Sequence, residues 1–468
     1  MIQPAVLLFS FIMSNFFTLA AGAQCTSDPG PKLLASDGAA GDAFGLSVEI
    51  DGSIIAIGAI WDDDHGFNSG SVYVYVLDNQ GVWGETFKIV PADGDPEDVF
   101  GRSVAVGRDT ILVGANGDDD NGFDAGAGYV FVQDGDSWVQ QAKLLANDGA
   151  AVDSVGWRVD LDGDTAVLSA HRDDDAGSSS GAAYVFVRDA KDNWTQEAKL
   201  TASDAAAGDE FGHDVAVSGD TIFVGAYKDD DHGSSSGSVY IFERDADDRW
   251  LQIGKLTASD ANAGYHYGRF LDLSGDTALI GSPFHHPLNF GAAYVIRRVN
   301  GVWSEETMLT ADVPTTQEWF GSSVSIDGEI ALIGSFYGEG NHPGEAYVFH
   351  DVGDAWTLVA NPTAFDGSIG DGFGRTVALH GGNAVVGASA NDDQGSGSGS
   401  AYTFWIDCPG RVSGDLNGDG VVGILDLLIL LATWGPCDPP CPPACLADID
   451  ASCTVDILDL LILLASWG

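Results

Sequence analysis

Basic residues are scarce in this chain. It carries 19 lysines and arginines against 70 aspartates and glutamates, a formal charge of −51 over 468 residues. Such a surface repels nucleic acid and anionic membranes. It attracts cations, divalent metals or basic partners, and it also suits solubility in a salty medium. Cysteine is missing between Cys25 and Cys408. Long apolar runs are missing too, except at the N-terminus. There a mostly apolar run to Leu19 is followed by Ala21-Gly22-Ala23, the small-residue pattern of a secretory cleavage site. Residues 1–23 therefore read as a signal peptide and the location as secreted or extracellular. The run falls short of a membrane span of about 20 residues. No sustained 3.6-residue period runs between residues 31 and 406, which argues against helices there. No His-Glu-x-x-His and no P-loop is present. Acidic pairs are so common that none stands out as a glycosidase dyad. The chain reads as non-enzymatic.

What the chain has is a repeat. Phe44-Gly45, Phe100-Gly101, Val155-Gly156, Phe211-Gly212, Tyr267-Gly268, Phe320-Gly321 and Phe373-Gly374 recur every 53 to 56 residues. A fixed period of this length marks a repeat architecture. In the fourth unit, Asp214–Val217, Thr221–Val224, Ser238–Phe242 and Trp250–Leu256 are four short β-rich runs separated by Gly/Asp turns. Four antiparallel strands per unit, repeated radially, predict an all-β, seven-bladed β-propeller over residues 24–408. The last unit stops at its third strand, Tyr402-Thr403-Phe404-Trp405. An orphan segment, residues 31–37, matches the fourth strands elsewhere and is expected to complete the seventh blade. That closure removes an exposed sheet edge. It also brings Cys25 to Cys408, which are expected to form a disulfide.

The Phe-Gly…Gly-Ala pattern, as in Phe44-Gly45…Gly58-Ala59 and Phe211-Gly212…Gly225-Ala226, resembles the FG-GAP repeats of the integrin α-subunit propeller. The resemblance implies a propeller used for adhesion and protein contact. In that family a calcium loop joins the first and second strands. Here the same connection is a short turn, as at Asp51-Gly52 and Asp162-Gly163-Asp164, so those ligands do not carry over.

Acidic loops follow the second strand instead. They are Asp62-Asp63-Asp64, Asp118-Asp119-Asp120, Asp173-Asp174-Asp175 and Asp229-Asp230-Asp231, with a weaker Asn391-Asp392-Asp393. The fifth and sixth units replace them with Pro283-Phe284-His285-His286 and Phe336-Tyr337-Gly338-Glu339. These loops and the blade-to-blade crossovers share one end of the disc. That acidic face is the expected site for a protein or glycan ligand. The loops are either calcium sites or plain turns, for which Asp and Gly are suited.

The composition changes after residues 409–413, a linker. Asp415, Asn417, Asp419, Val421 and Asp426 stand at ligand positions of an EF-hand-type calcium loop, with Gly420 at its sharp turn. Asp448, Asp450, Ser452, Asp456 and Asp459 repeat the spacing, and each loop leads into a leucine-rich segment. Residues 414–468 resemble a dockerin. The resemblance implies two bound Ca²⁺ ions and a cohesin-like scaffold or surface partner, chosen by Ile424, Leu425, Ile457 and Leu458. It also implies a polysaccharide-degrading context, in which the chain would be a component enzyme or carbohydrate-binding subunit. The bland alternative is a packed helix pair with no partner. Cys437, Cys441, Cys445 and Cys453 read as disulfides rather than a zinc site, because of the export signal and intervening prolines.

Overall fold

A computed structural model describes residues 25–408 apart from 108, 136, 286–287, 313–317, 337–341 and 354, together with 427, 430–431, 435–436, 454–455 and 460. The signal peptide, the linker, the expected calcium ligands from Asp415 to Asp459, the four partner-selecting residues and the last four cysteines lie outside the described residues.

Seven four-stranded antiparallel sheets form the blades. Blades 1 to 6 occupy residues 47–89, 100–144, 159–200, 215–256, 270–309 and 320–360. In blade 4 the strands are Val215–Ser218, Thr221–Ala226, Ser238–Arg244 and Trp250–Leu256, from the axis outward. The second strand of each blade reads as an almost unbroken apolar run, as in Ile54–Ala59, and is buried along its length. That is expected of a strand covered on both faces. The outer strand alternates buried and open positions. Each apolar cluster spans two adjacent blades: Ile54, Ala56, Val72 and Val74 of blade 1 pack on Phe100, Val104 and Ile111 of blade 2.

Blade 7 closes as expected. Its strands Phe373–His380, Asn383–Ala388 and Ser400–Asp407 are joined by Thr26–Leu33. The closing strand starts before the expected segment and ends at Leu33, so Asp37 belongs to the crossover. Pro29 and Pro31 sit at an irregularity between Pro29 and Lys32, tolerable because this is an edge strand. Cys25 and Cys408 are disulfide-bonded beside the pair.

The Phe-Gly pair is the joint between blades. Phe100 bridges Gly70 of the preceding blade, and Phe44 bridges Gly399 where the ring closes. Gly101 has φ +89, and a Cβ there would lie 2.7 Å from the Ser71 carbonyl. A Cβ on Gly58, the second motif glycine, would lie 2.3 Å from the Gly101 carbonyl. The motif is therefore a contact of backbone on backbone that side chains would wedge apart. The aromatic partner is buried and meets the third-strand tyrosine edge-on, as Phe44 meets Tyr73 at 5.4 Å and Phe211 meets Tyr240 at 5.3 Å.

Candidate functional site

Each acidic loop is organised around one lysine, which offsets part of its charge and leaves the rest. A lysine of the outer strand pairs in register with the third-strand tyrosine: Lys88 with Tyr73, Lys143 with Tyr129, Lys199 with Tyr184, Lys255 with Tyr240, and Lys32 with Tyr402 across the closure. Each of the first four ammonium groups sits among three carboxylates, 2.6 to 3.0 Å away. Two come from the loop's first and third aspartates and one from the crossover. For Lys255 they are Asp229, Asp231 and Asp204. Lys32 has Asp366 and Asp393, with Asn391 in place of the first aspartate. The first aspartate is buried and receives the tyrosine hydroxyl, as from Tyr129 to Asp118 at 2.7 Å. Burial opposes the charge on Asp204 and Asp229, but Lys255 and Tyr240 outweigh it and hold both carboxyls below their ordinary value. The second aspartates are turn formers: Asp63, Asp119 and Asp174 accept the amide of the residue five positions on.

Of the twelve aspartates expected as calcium ligands, the first and third of each triplet are thus gathered, but around lysines, and the second caps its own turn. Asp204, Asp229 and Asp231 converge closely enough for a metal, yet Lys255 Nζ lies among them at 2.6 to 2.8 Å. A calcium ion would have to displace an ammonium already in place, so these loops do not fit a resident metal. Of the two blade-5 histidines, His285 pairs through Nε2 with Asp260 at 2.7 Å, and His286 lies outside the described residues.

The seven-fold pattern breaks at the centre of the same face. The residue after each Phe-Gly pair is Leu46, Arg102, Trp157, His213, Arg269, Ser322 or Arg375, and all seven line one axial well of about 180 Å³. The scaffold is constant and these positions vary. Blades 5 and 6, which lack the acidic triplet, turn Phe284 and Phe336 into the well, beside Trp319. Rings run around it in edge contact: His213 to Tyr227 at 4.3 Å, Tyr227 to His266 at 5.0 Å, His266 to Phe284 at 4.8 Å, and Phe284 to Trp319 at 5.3 Å. Guanidiniums stack on the rings, Arg102 over Trp157 at 3.7 Å, Arg269 over Tyr227 at 4.9 Å and Arg375 over Phe336 at 4.9 Å. Burial first, and then the neighbouring arginines, lower the proton affinity of Arg102 and Arg375. Burial, followed by nearby cations, pushes His171 down to about 3 and His266 to about 4, so both stay neutral.

Below the well a second axial cavity of about 110 Å³ holds Glu49, Asp160, Asp214 and Asp272, and shares Arg158, Phe270, Arg375 and Thr376 with the mouth. Three of these carboxylates latch one blade to the next by accepting an amide of the following inner strand. Asp160 takes Val217 N at 2.6 Å, Asp214 takes Leu271 N at 2.9 Å and Asp272 takes Ile326 N at 2.6 Å. Burial raises Asp160 to about 7 and Asp214 and Asp272 to about 6, with Glu49 also well above the usual range.

Constant blades around a variable well define a β-propeller, a general ligand-binding fold. The chain belongs to the FG-GAP repeat family, which matches residues 31–75, 83–131, 138–186, 194–242, 250–296, 303–349 and 356–404. Each match begins in one blade's outer strand and ends in the next blade's third strand, which is the offset that closes the ring. The chain is also similar in fold to a crystal structure of a protein from Lactobacillus plantarum, with TM-score 0.50 and 15% identity, covering 73% of this chain and 90% of that one. No curated protein matches the chain.

Two signals in the sequence point to features found only in the structure. Five of the chain's seven lysines occupy the one cage position. The varying residue after Phe-Gly marks the well.

Proposed function

We propose that the protein is a secreted, non-enzymatic binding module whose propeller takes a protein or glycan ligand at the axial well of the crossover face. The observation that carries this reading is the convergence of one non-repeating residue from every blade on a single cavity. A repeat that serves only stability has no need to vary there. Three of the axial carboxylates are committed to backbone amides, which argues against their use as an acid–base pair. Among the described residues no helix is long and apolar enough to cross a membrane. The disulfide suits an oxidising compartment. The C-terminal dockerin-like segment, with Asp415, Asn417, Asp419 and Asp426 as the best-formed loop, would bind calcium and dock the propeller to a cohesin-type partner.

Two experiments test this. The full chain is screened on glycan and extracellular-protein arrays beside a Phe284→Ala/Trp319→Ala variant that removes two walls of the well. Loss of binding at an unchanged melting temperature is expected, and retained binding would place the ligand elsewhere. For the tail, capture by a cohesin should require calcium and fail in Asp415→Ala. Capture in chelator would remove the dockerin-like reading.

A further inference from the structure

The well's charge is out of character for the molecule. The chain has 70 acidic residues with which its few arginines could pair. Arg188, Arg244 and Arg297 do pair with carboxylates at 2.5 to 2.7 Å. Among the described residues, the guanidiniums of Arg102 and Arg375 make no hydrogen bond or ion pair. They stack instead on the Trp157 and Phe336 rings. Stacking covers the face of a guanidinium and leaves its N–H edge free for a planar, two-oxygen acceptor. Two buried donors lining the same cavity also lack an acceptor, Trp157 Nε1 and Trp319 Nε1, whereas Arg158 Nε faces Asp214 at 3.7 Å. An unmet buried donor is costly, and crowded guanidiniums repel one another. A bound oxyanion relieves both costs.

Size and surroundings narrow the class. A cavity of roughly 150 Å³ holds a benzene-sized ring, and this well measures about 180 Å³. Ring faces and edges line it, whereas the surrounding loops are acidic, with Asp64, Asp120 and Asp175 more than half exposed. That rim repels an extended polyanion and admits a compact, singly charged one. Resting on the reading of the well as the ligand site, we infer that it binds a small organic oxyanion, a single carboxylate carried on one ring-sized body.

The test uses the full chain, by calorimetric titration at constant ionic strength. Benzoate and galacturonate represent an aromatic acid and an acidic sugar as sources of that carboxylate. Benzyl alcohol and galactose are their neutral counterparts. At least one acid should bind about tenfold or more tightly than its counterpart, and the preferred acid identifies the source. Arg375→Gln and Arg102→Gln should each weaken it about tenfold, while Arg188→Gln leaves it unchanged. If Arg102→Gln fails to fold, Arg375→Gln and Arg102→Lys carry the test. Equal binding of acid and neutral probes, or binding indifferent to Arg375→Gln, overturns the oxyanion while leaving the well a ligand site. No binding by either acid up to about 10 mM overturns the inference as well. The wall variant on the arrays then decides separately whether the well binds anything.

Discussion

Blades 4 and 5 share a backbone and differ in their chemistry. In blade 4, Lys255 stands opposite Tyr240 and pairs with Asp204, Asp229 and Asp231. In blade 5, Met308 stands opposite Tyr294 at the same register, the acidic triplet is gone, and Asp260 pairs with His285 and Tyr294 at 2.7 Å each. Blade 6 has no lysine either, and its tyrosine, Tyr347, donates to Glu318 and Glu345. In blades 1 to 6 lysine and triplet come and go together, because a buried carboxylate without its cation is costly. The loops released from that duty in blades 5 and 6 supply two rings of the well, Phe284 and Phe336. One exchange thus removes a structural ion cluster and builds a binding surface.

The comparison breaks most severely where a cage depends on both chain ends. Blade 7 takes Lys32 from the N-terminal strand, 334 residues from its partner Asp366. Deleting residues 25–37 should expose the Ser400–Asp407 edge, strip Asp366 and Asp393 of their cation, and produce aggregation by light scattering. A monomeric deletion mutant with the same melting curve would show that closure contributes nothing. Cys25→Ser should cost about 2–4 kcal/mol in denaturant unfolding, because the bridge restrains a very long loop of the unfolded chain.

Within a single blade, Lys199→Met should cost about 3 kcal/mol by leaving Asp173 buried without its cation. Adding Asp173→Asn, Asp175→Asn and Asp148→Asn should recover part of that loss by making the site resemble blade 5. No recovery would mean that the alkyl stem, not the charge, matters. Calcium added to wild type should not raise the melting temperature of the propeller transition beyond an equal ionic strength of sodium chloride.

Smaller effects follow from pH. The axial carboxyls are raised, so the folded state holds their protons more tightly than the unfolded chain. Their contribution is fully present below an unfolded value of about 4 and is lost as pH rises through about 6 to 7. Asp37, Asp148 and Asp204 in the cages are lowered, and their contribution is lost below about pH 4. The melting temperature should therefore rise by a few degrees from pH 8 to 5 and fall again below 4. A profile still rising at pH 3 would discount the cages. The smallest change is Met308→Lys, expected within about 0.5 kcal/mol, since blade 5 has no acidic triplet to receive it.

The amino-acid sequence by itself determined the ring. Blade number, strand order, the closing strand and the Cys25–Cys408 bridge follow from period, alternation and turn chemistry, which are local and repeated seven times. The same regularity showed that Asp62, Asp118, Asp173 and Asp229 share a role, and that their turns gather on one face. Only tertiary structure decided what that role is. The lysine neutralising Asp62 lies 26 residues away in the outer strand, and Asp37 arrives from the preceding crossover. Likewise Arg102 and Arg375 are 273 positions apart in the chain and meet only because the blades close around an axis. Repetition makes a fold legible in one dimension. A site built from one residue per repeat becomes legible only when the ring brings those residues together.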